Sequence, residues 1–210
     1  MIILVTFPRS GSSWVQKFVN KYNTINYNAK DLYDYFGKKV EGTVNQKIDF
    51  LNTERKSGQE YSVKYFTYHK PVNTQWFKDF YKDSVIIKLN RKDKYRAFLS
   101  YIAQYVTGWR FHNPKKIGDV NLFSEVCKEL IAPEEAMKEW FERYKSFVEY
   151  NNHVEEWVYE ELSHNYLCNK LNISNVDIRD SYSSINYEKR IININEVEKY
   201  FENAIRYIKN

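Results

Sequence analysis

A set of residues suited to holding an anion stands at the front of the chain. Arg9, Ser10, Gly11, Ser12, Ser13 and Trp14 follow one another in Pro8-Arg9-Ser10-Gly11-Ser12-Ser13-Trp14. Arg9 brings a cation that stays charged, the serines bring hydroxyls, and Gly11 lets the backbone turn where a side chain would obstruct it. Before them runs the apolar, β-branched segment Ile2 to Phe7; after them Trp14, Val15, Phe18, Val19 and Tyr22 recur at helical spacing. The segment reads strand, tight loop, helix, and the helix runs from about Ser13 to about Tyr22, so its unpaired first-turn N–H groups join the donors. A nucleoside-triphosphatase loop would instead need Gly-x-x-x-x-Gly-Lys-Ser/Thr, with the lysine on the terminal phosphates and the hydroxyl on magnesium. Here one glycine follows an arginine.

The elements that must position this loop alternate between strand and helix. Glu60 to Tyr68 alternates β-formers and ends at His69-Lys70-Pro71, and Ser84 to Leu89 is apolar on both faces, as a central parallel strand is. Helices are expected over about Gln46–Lys56 and Thr74–Tyr81, a long loop with little regular structure over Asn23–Lys47, and another loop over Arg110–Val120. Further helices are expected over Leu122–Ile131 and over Pro133–Tyr150, the latter opened by proline and two glutamates and burying Trp140, Phe141, Tyr144, Phe147 and Val148. A late strand begins near Val154, the stretch from Asn172 to Ile194 is polar and poorly periodic, and a last helix covers Glu196–Ile208 with Asn195 and Glu198 at capping-box spacing. The expected fold is α/β: a three-layer sandwich around a central parallel sheet, its ligands at the carboxyl ends of the strands. The Arg9 loop, His69 and Arg91 all lie at such ends.

The chain of 210 residues, 43% hydrophobic and 18% aromatic, suits one domain, 1–210, and excludes a disordered chain. Its net charge of +5 is spread, which fits an enzyme holding a charged nucleotide as well as a polyanion binder. Cys127 and Cys168 have neither Cys-x-x-Cys spacing nor histidine partners, so no metal site and no disulfide framework is indicated. With no apolar run approaching eighteen residues and no leader-like start, a soluble cytoplasmic protein is expected, with no membrane partner.

The heptapeptide at residues 8–14 resembles the 5′-phosphosulfate loop of the sulfotransferase family, which uses 3′-phosphoadenosine 5′-phosphosulfate (PAPS) as sulfuryl donor. A second block, Asn90-Arg91-Lys92-Asp93 through Ser100-Tyr101, resembles that family's 3′-phosphate signature, an arginine at a strand end and a later helical serine. Ser100 lies nine residues after Arg91 and eight after Lys92, which leaves either cation to meet the phosphate. Tyr159-Glu160-Glu161-Leu162 is similar to the family's late Tyr-Glu-Asp-Leu, and Lys189 and Arg190 lie where the family brings a late basic loop. The resemblance implies a P-loop-NTPase-like sulfotransferase fold and sulfuryl transfer without a metal, leaving 3′-phosphoadenosine 5′-phosphate (PAP).

It also implies site roles: Arg9 on the bridging and departing oxygens, Ser10 to Ser13 on the 5′-phosphate, Trp14 beneath the loop or against the adenine, and Arg91 with Ser100 on the 3′-phosphate. Two candidate bases follow from two subfamilies. His69 in Tyr68-His69-Lys70-Pro71 resembles the Thr-His-Leu-Pro of cytosolic enzymes, and its natural pKa suits the role. Asp34 in Tyr33-Asp34-Tyr35-Phe36 resembles the Glu-Tyr-Phe of the bacterial trehalose-type enzymes, to which Ala103 to Trp109 is also similar. Lys64 is a lesser candidate for the transferring group, and His112, His153 and His164 read as surface residues. The acceptor implied is a carbohydrate or other small molecule, taken by aromatic segments Tyr27–Phe36 and Tyr101–Phe111. Two other classes stand beside this one: a P-loop nucleotide or small-molecule kinase, and a non-catalytic module gripping nucleic acid or another polyanion.

Overall fold

In the computed structural model, residues 2–19, 24–27, 32–33, 39–40, 53, 62–68, 84–108, 129–151, 153, 155–171 and 186–209 are described. Strand β1 (Ile2–Thr6) leads into the loop and α1 (Ser12–Val19). Three short strands follow, β2 (Thr24–Tyr27), β3 (Leu32–Tyr33) and β4 (Lys39–Val40), then β5 (Ser62–Phe66) and β6 (Val85–Asn90). Helices α2 (Lys94–Thr107) and α3 (Glu134–Val148) lead to β7 (Glu155–Val158), a 3-10 turn at Tyr159–Glu161, α4 (His164–Lys170), a second turn at Glu188–Arg190, and α5 (Ile194–Lys209).

The strands form one sheet in the order β4-β3-β2-β5-β1-β6-β7. Strands β2, β5, β1, β6 and β7 run parallel, while β3 and β4 fold back antiparallel at one edge. The chain leaves β1 toward one side, returns through β5, then crosses to β6 on the other. The carboxyl end of β1 is therefore where the winding reverses, the place in an α/β sheet where a crevice opens.

Alternation along the strands sends side chains to two helical layers. Ile3, Val5, Phe7 and Ile86 face α2, α3 and α5, where Ala97, Phe98, Ile102, Trp140 and Phe147 are buried. Leu4, Ile87 and Leu89 face the other way, onto Val15 and Phe18 of α1, Trp157 of β7 and Leu167 of α4. Phe7 is held edge-on by Trp140 and Tyr144, with centroids 6.0 and 5.1 Å away, so the start of the loop is anchored in the larger core. Helix α2 opens on Asp93, whose carboxylate accepts from the Arg96 N–H, and closes on Gly108 at φ 62°. Among the described residues, no helix is long and apolar enough to cross a membrane.

The structure corrects several expectations drawn from periodicity. The stretch Asn23–Lys47 is no plain loop, since β2, β3 and β4 lie in it; β2 has little apolar pattern and is a strand because it pairs with β5. The helix expected to reach Ile131 does not include its last residues, because Leu130 forms a parallel bridge to Ile191. The late strand stops at Val158 and becomes a 3-10 turn. The last helix starts at Ile194, ahead of the proposed Asn195–Glu198 box; Asn193 instead donates to Glu196 Oε2 at 3.3 Å and clamps both backbone groups of Ala132. Of the helix expected over Gln46–Lys56 only Thr53, which is helical, is described; the helix expected over Thr74–Tyr81, most of that over Leu122–Ile131 and the loop Arg110–Val120 lie outside the described residues.

Candidate functional site

The loop after β1 is wound tightly. Arg9 takes φ 65° and Gly11 φ 87°, and the Ser10 N–H returns to the Phe7 carbonyl at 3.3 Å. A non-glycine residue in the left-handed region is uncommon and costs about 1 kcal/mol or more, so its neighbours must hold it there. Arg91 does so: its Nη1 donates to the Arg9 carbonyl at 2.7 Å. The glycine has a steric reason as well as a conformational one, for a Cβ at Gly11 would stand 2.2 Å from the Tyr159 ring.

From this loop the Arg9 side chain reaches into the protein. Its Nε donates to Ser100 Oγ at 2.8 Å, and the Ser100 hydroxyl donates onward to the Tyr187 hydroxyl at 3.2 Å. Burial pulls the Arg9 guanidinium below its ordinary pKa; the Tyr187 hydroxyl bonded to it opposes that shift, and Arg91 adds to it. Ser100 is buried, 5% exposed, and so is not a solvent-facing helix serine. The structure thus joins Arg9, Arg91 and Ser100, which the sequence separates into two blocks.

Arg91 is fixed on three sides. Its guanidinium lies over the Tyr159 ring at 5.3 Å, its Nε is 3.5 Å from Glu160 Oε1, and Nη1 holds the Arg9 carbonyl. Glu160 in turn accepts the Lys92 and Asp93 N–H groups at 2.8 and 3.0 Å, which shapes the turn from β6 into α2. Burial works to raise the Glu160 pKa, but those backbone bonds and Arg91 outweigh it and hold the carboxyl below its usual range. The two cations left open by spacing are now distinct: Arg91 is 15% exposed and faces the loop, whereas Lys92 is 66% exposed and pairs with Glu161 at 2.5 Å.

The serines divide in the same way. Ser10 is buried with its hydroxyl bonded to Thr6 Oγ1, so it fastens the loop to the strand. Ser12 and Ser13 head α1. Trp14 packs behind the loop, edge-on to Phe18 at 4.7 Å and to Tyr159 at 5.8 Å. Two buried N–H donors around the loop, Arg91 Nε and Trp14 Nε1, have no hydrogen-bond acceptor among the described residues. Asp34 and His69 lie outside the described residues, as do Lys70 and His112, and of Lys64 only the backbone is described. His164 is half-buried against Phe18, and His153 is half-buried too.

An open pocket of about 240 Å³ is lined by Tyr101, Gln104, Tyr105 and Gly108 at the later part of α2 and by Arg143 of α3. The Arg143 guanidinium lies 4.4 Å from the Tyr68 ring centroid and 5.4 Å from that of Tyr101, and it is paired with Glu139. Burial raises the Tyr68 and Tyr101 hydroxyls to about 12, against the pull of Arg143, so both remain protonated donors at neutral pH. Tyr68 directly precedes His69.

Sequence reasoning missed Tyr187 altogether. Tyr159 and Glu160 were visible only as part of a weak tetrapeptide, and Thr6 only as a strand residue. Their signal was not in local pattern: each matters because the fold sets it against Gly11, Arg91, Ser100 or Ser10. No protein-family model matches the chain, and no curated protein matches it.

Proposed function

We propose that the chain is a PAPS-dependent sulfotransferase, passing a sulfuryl group to a hydroxyl or amine of a carbohydrate or other small acceptor and leaving PAP. The observation that carries this reading is the hydrogen bond from Arg9 Nε to Ser100 Oγ, which unites two motifs 91 residues apart at the end of the central strand. A bisphosphorylated nucleotide needs cations and N–H donors at two places. The site offers two guanidiniums and the head of α1.

PAPS, when bound, supplies a sulfuryl group activated by its attachment to phosphate and displaceable in line. The chain's part is positioning and charge. Arg9 holds negative charge at the reacting end, the head of α1 takes the 5′-phosphate, and Arg91, preset by Glu160 and Tyr159, takes the 3′-phosphate with Ser100. His69 or Asp34 removes the acceptor's proton; Asp34→Asn and His69→Ala, assayed side by side, select the base by which one abolishes turnover. The open pocket at Tyr101, Gln104 and Arg143 offers phenol, amide and guanidinium groups to an acceptor ring, and its Arg143 lies over the ring of Tyr68, the residue before His69.

Calorimetric titration with PAP, alongside ATP plus magnesium at the same salt, tests the reading. Tight one-site binding of PAP, indifferent to magnesium and lost in Arg91→Ala, supports it. Magnesium-dependent ATP binding without PAP binding replaces it with a phosphotransferase, and steeply salt-dependent binding of nucleic acid alone replaces it with a polyanion-binding module.

A further inference from the structure

No motif points to Tyr187, yet it stands at the centre of the cluster. It lies in the polar stretch after Asn172, is 7% exposed, and packs its ring in the larger core. Its position is doubly fixed. The Tyr187 carbonyl accepts the Arg190 N–H at 3.0 Å to close the 3-10 turn, and just beyond the turn Leu130 bonds both the Arg190 carbonyl and the Ile192 N–H, at 2.7 and 2.8 Å.

A buried phenol needs a partner for its hydroxyl, and any carbonyl of the core would serve that purpose. Here the partners are Ser100 and Arg9, two side chains of the anion site. The Ser100 hydroxyl has one proton. In the arrangement observed it accepts from Arg9 Nε and spends that proton on Tyr187. An anion arriving at Ser100 needs the same proton. Tyr187 can give way without being left unsatisfied, because a phenol donates as readily as it accepts. Its own proton then turns to Ser100 Oγ while the serine proton turns to the ligand, and a chain of hydroxyls polarised in one direction strengthens the terminal bond.

We propose that Tyr187 is a positioning residue for the 3′-phosphate, acting through Ser100 to set the preference for a 3′-phosphorylated nucleotide over one lacking that group. This rests on the donor-nucleotide reading above. It also gives the 186–192 segment a role, since the ring ties the turn bearing Lys189 and Arg190 to the loop after β1.

The test is calorimetry of the wild-type chain, Tyr187→Phe, Ser100→Ala and the double variant with PAP and with adenosine 5′-monophosphate. Thermal unfolding of each variant confirms an intact fold. Tyr187→Phe keeps the ring in the core and removes only the hydroxyl. It is expected to weaken PAP binding about tenfold while leaving the monophosphate within about twofold. The double variant should lose no more than Ser100→Ala alone, because the tyrosine acts through the serine. Undiminished PAP affinity in Tyr187→Phe, or an equal loss for both nucleotides, overturns the inference and leaves the donor reading standing. A wild-type chain that does not prefer PAP to the monophosphate overturns both.

Discussion

Arg9 owes its geometry to neighbours that no local pattern would connect to it. Its backbone, at φ 65°, is stabilised where it is by the Arg91 bond to its carbonyl, and its side chain is aimed by Ser100. Gly11 is the strictest point of the loop, because φ 87° and the Tyr159 ring both exclude a side chain. Gly11→Ala is therefore expected to cost about 1–3 kcal/mol in urea unfolding and to weaken PAP binding at least tenfold. Adding Tyr159→Ala relieves the clash but not the backbone strain, so it should recover only part of the stability. Glu160 gives a pH-dependent check. Its folded pKa lies below the unfolded value of 4.5, so its contribution is present above about pH 4.5 and is lost as pH falls through the lower folded value. Glu160→Gln should accordingly flatten the wild-type stability profile below pH 4.5 and, by loosening Arg91, weaken PAP binding at pH 7.

Among the elements, β1 and β6 were legible because a buried parallel strand must be apolar on both faces, and Ile2–Phe7 and Ser84–Leu89 are. Helix α3 was legible from its apolar face and its proline-glutamate opening. Strand β2 was not, since Thr24-Ile25-Asn26-Tyr27 carries one aliphatic residue and becomes a strand through pairing with β5. The site divides similarly: Arg9 stands out by its residue type in the loop and Arg91 with Ser100 only through the resemblance, whereas Tyr187 is one of nineteen tyrosines until the fold sets it on Ser100. Lys88 is another contact that only the fold creates. From the centre of β6 its ammonium donates to the carbonyls of Val148 at 3.3 Å and Tyr150 at 2.7 Å, closing the end of α3, with the Phe147 ring 4.9 Å away. Burial lowers its pKa below the ordinary 10.5, against the pull of Glu156. The unfolded chain thus holds this proton more tightly, and stability gains from Lys88 as pH rises from the lowered value through 10.5. Lys88→Met keeps the stem and leaves two carbonyls unpaired; it should cost about 1–3 kcal/mol at pH 7 and abolish that alkaline gain, as urea titrations at pH 7 and pH 10 would measure.

At the scale of the molecule, the site belongs to no single segment. The loop after β1, the β6–α2 turn, the middle of α2, the Tyr159 turn and the 186–192 segment all converge on it, and the last is pinned to Leu130 ahead of α3. Behind that convergence the layers share one aromatic core, in which Phe201 of α5 meets Tyr95 and Phe98 of α2 at 5.1 and 5.4 Å and Phe141 of α3 at 5.7 Å. A ligand gripping Arg9, Arg91 and Ser100 would therefore brace parts of the chain that unfolding must separate. With ligand at a hundred times its Kd, binding to the native state alone adds about 2.7 kcal/mol. For a chain of this size that is about 5–10 °C in melting temperature. PAP should produce such a rise at equal size with and without magnesium, and Arg91→Ala and Ser100→Ala should each suppress it, while Lys92→Ala, whose side chain is turned out to Glu161, should not. A rise given by ATP and magnesium instead, or one as large in Arg91→Ala as in the wild-type chain, would mean that the nucleotide is gripped elsewhere on this sheet.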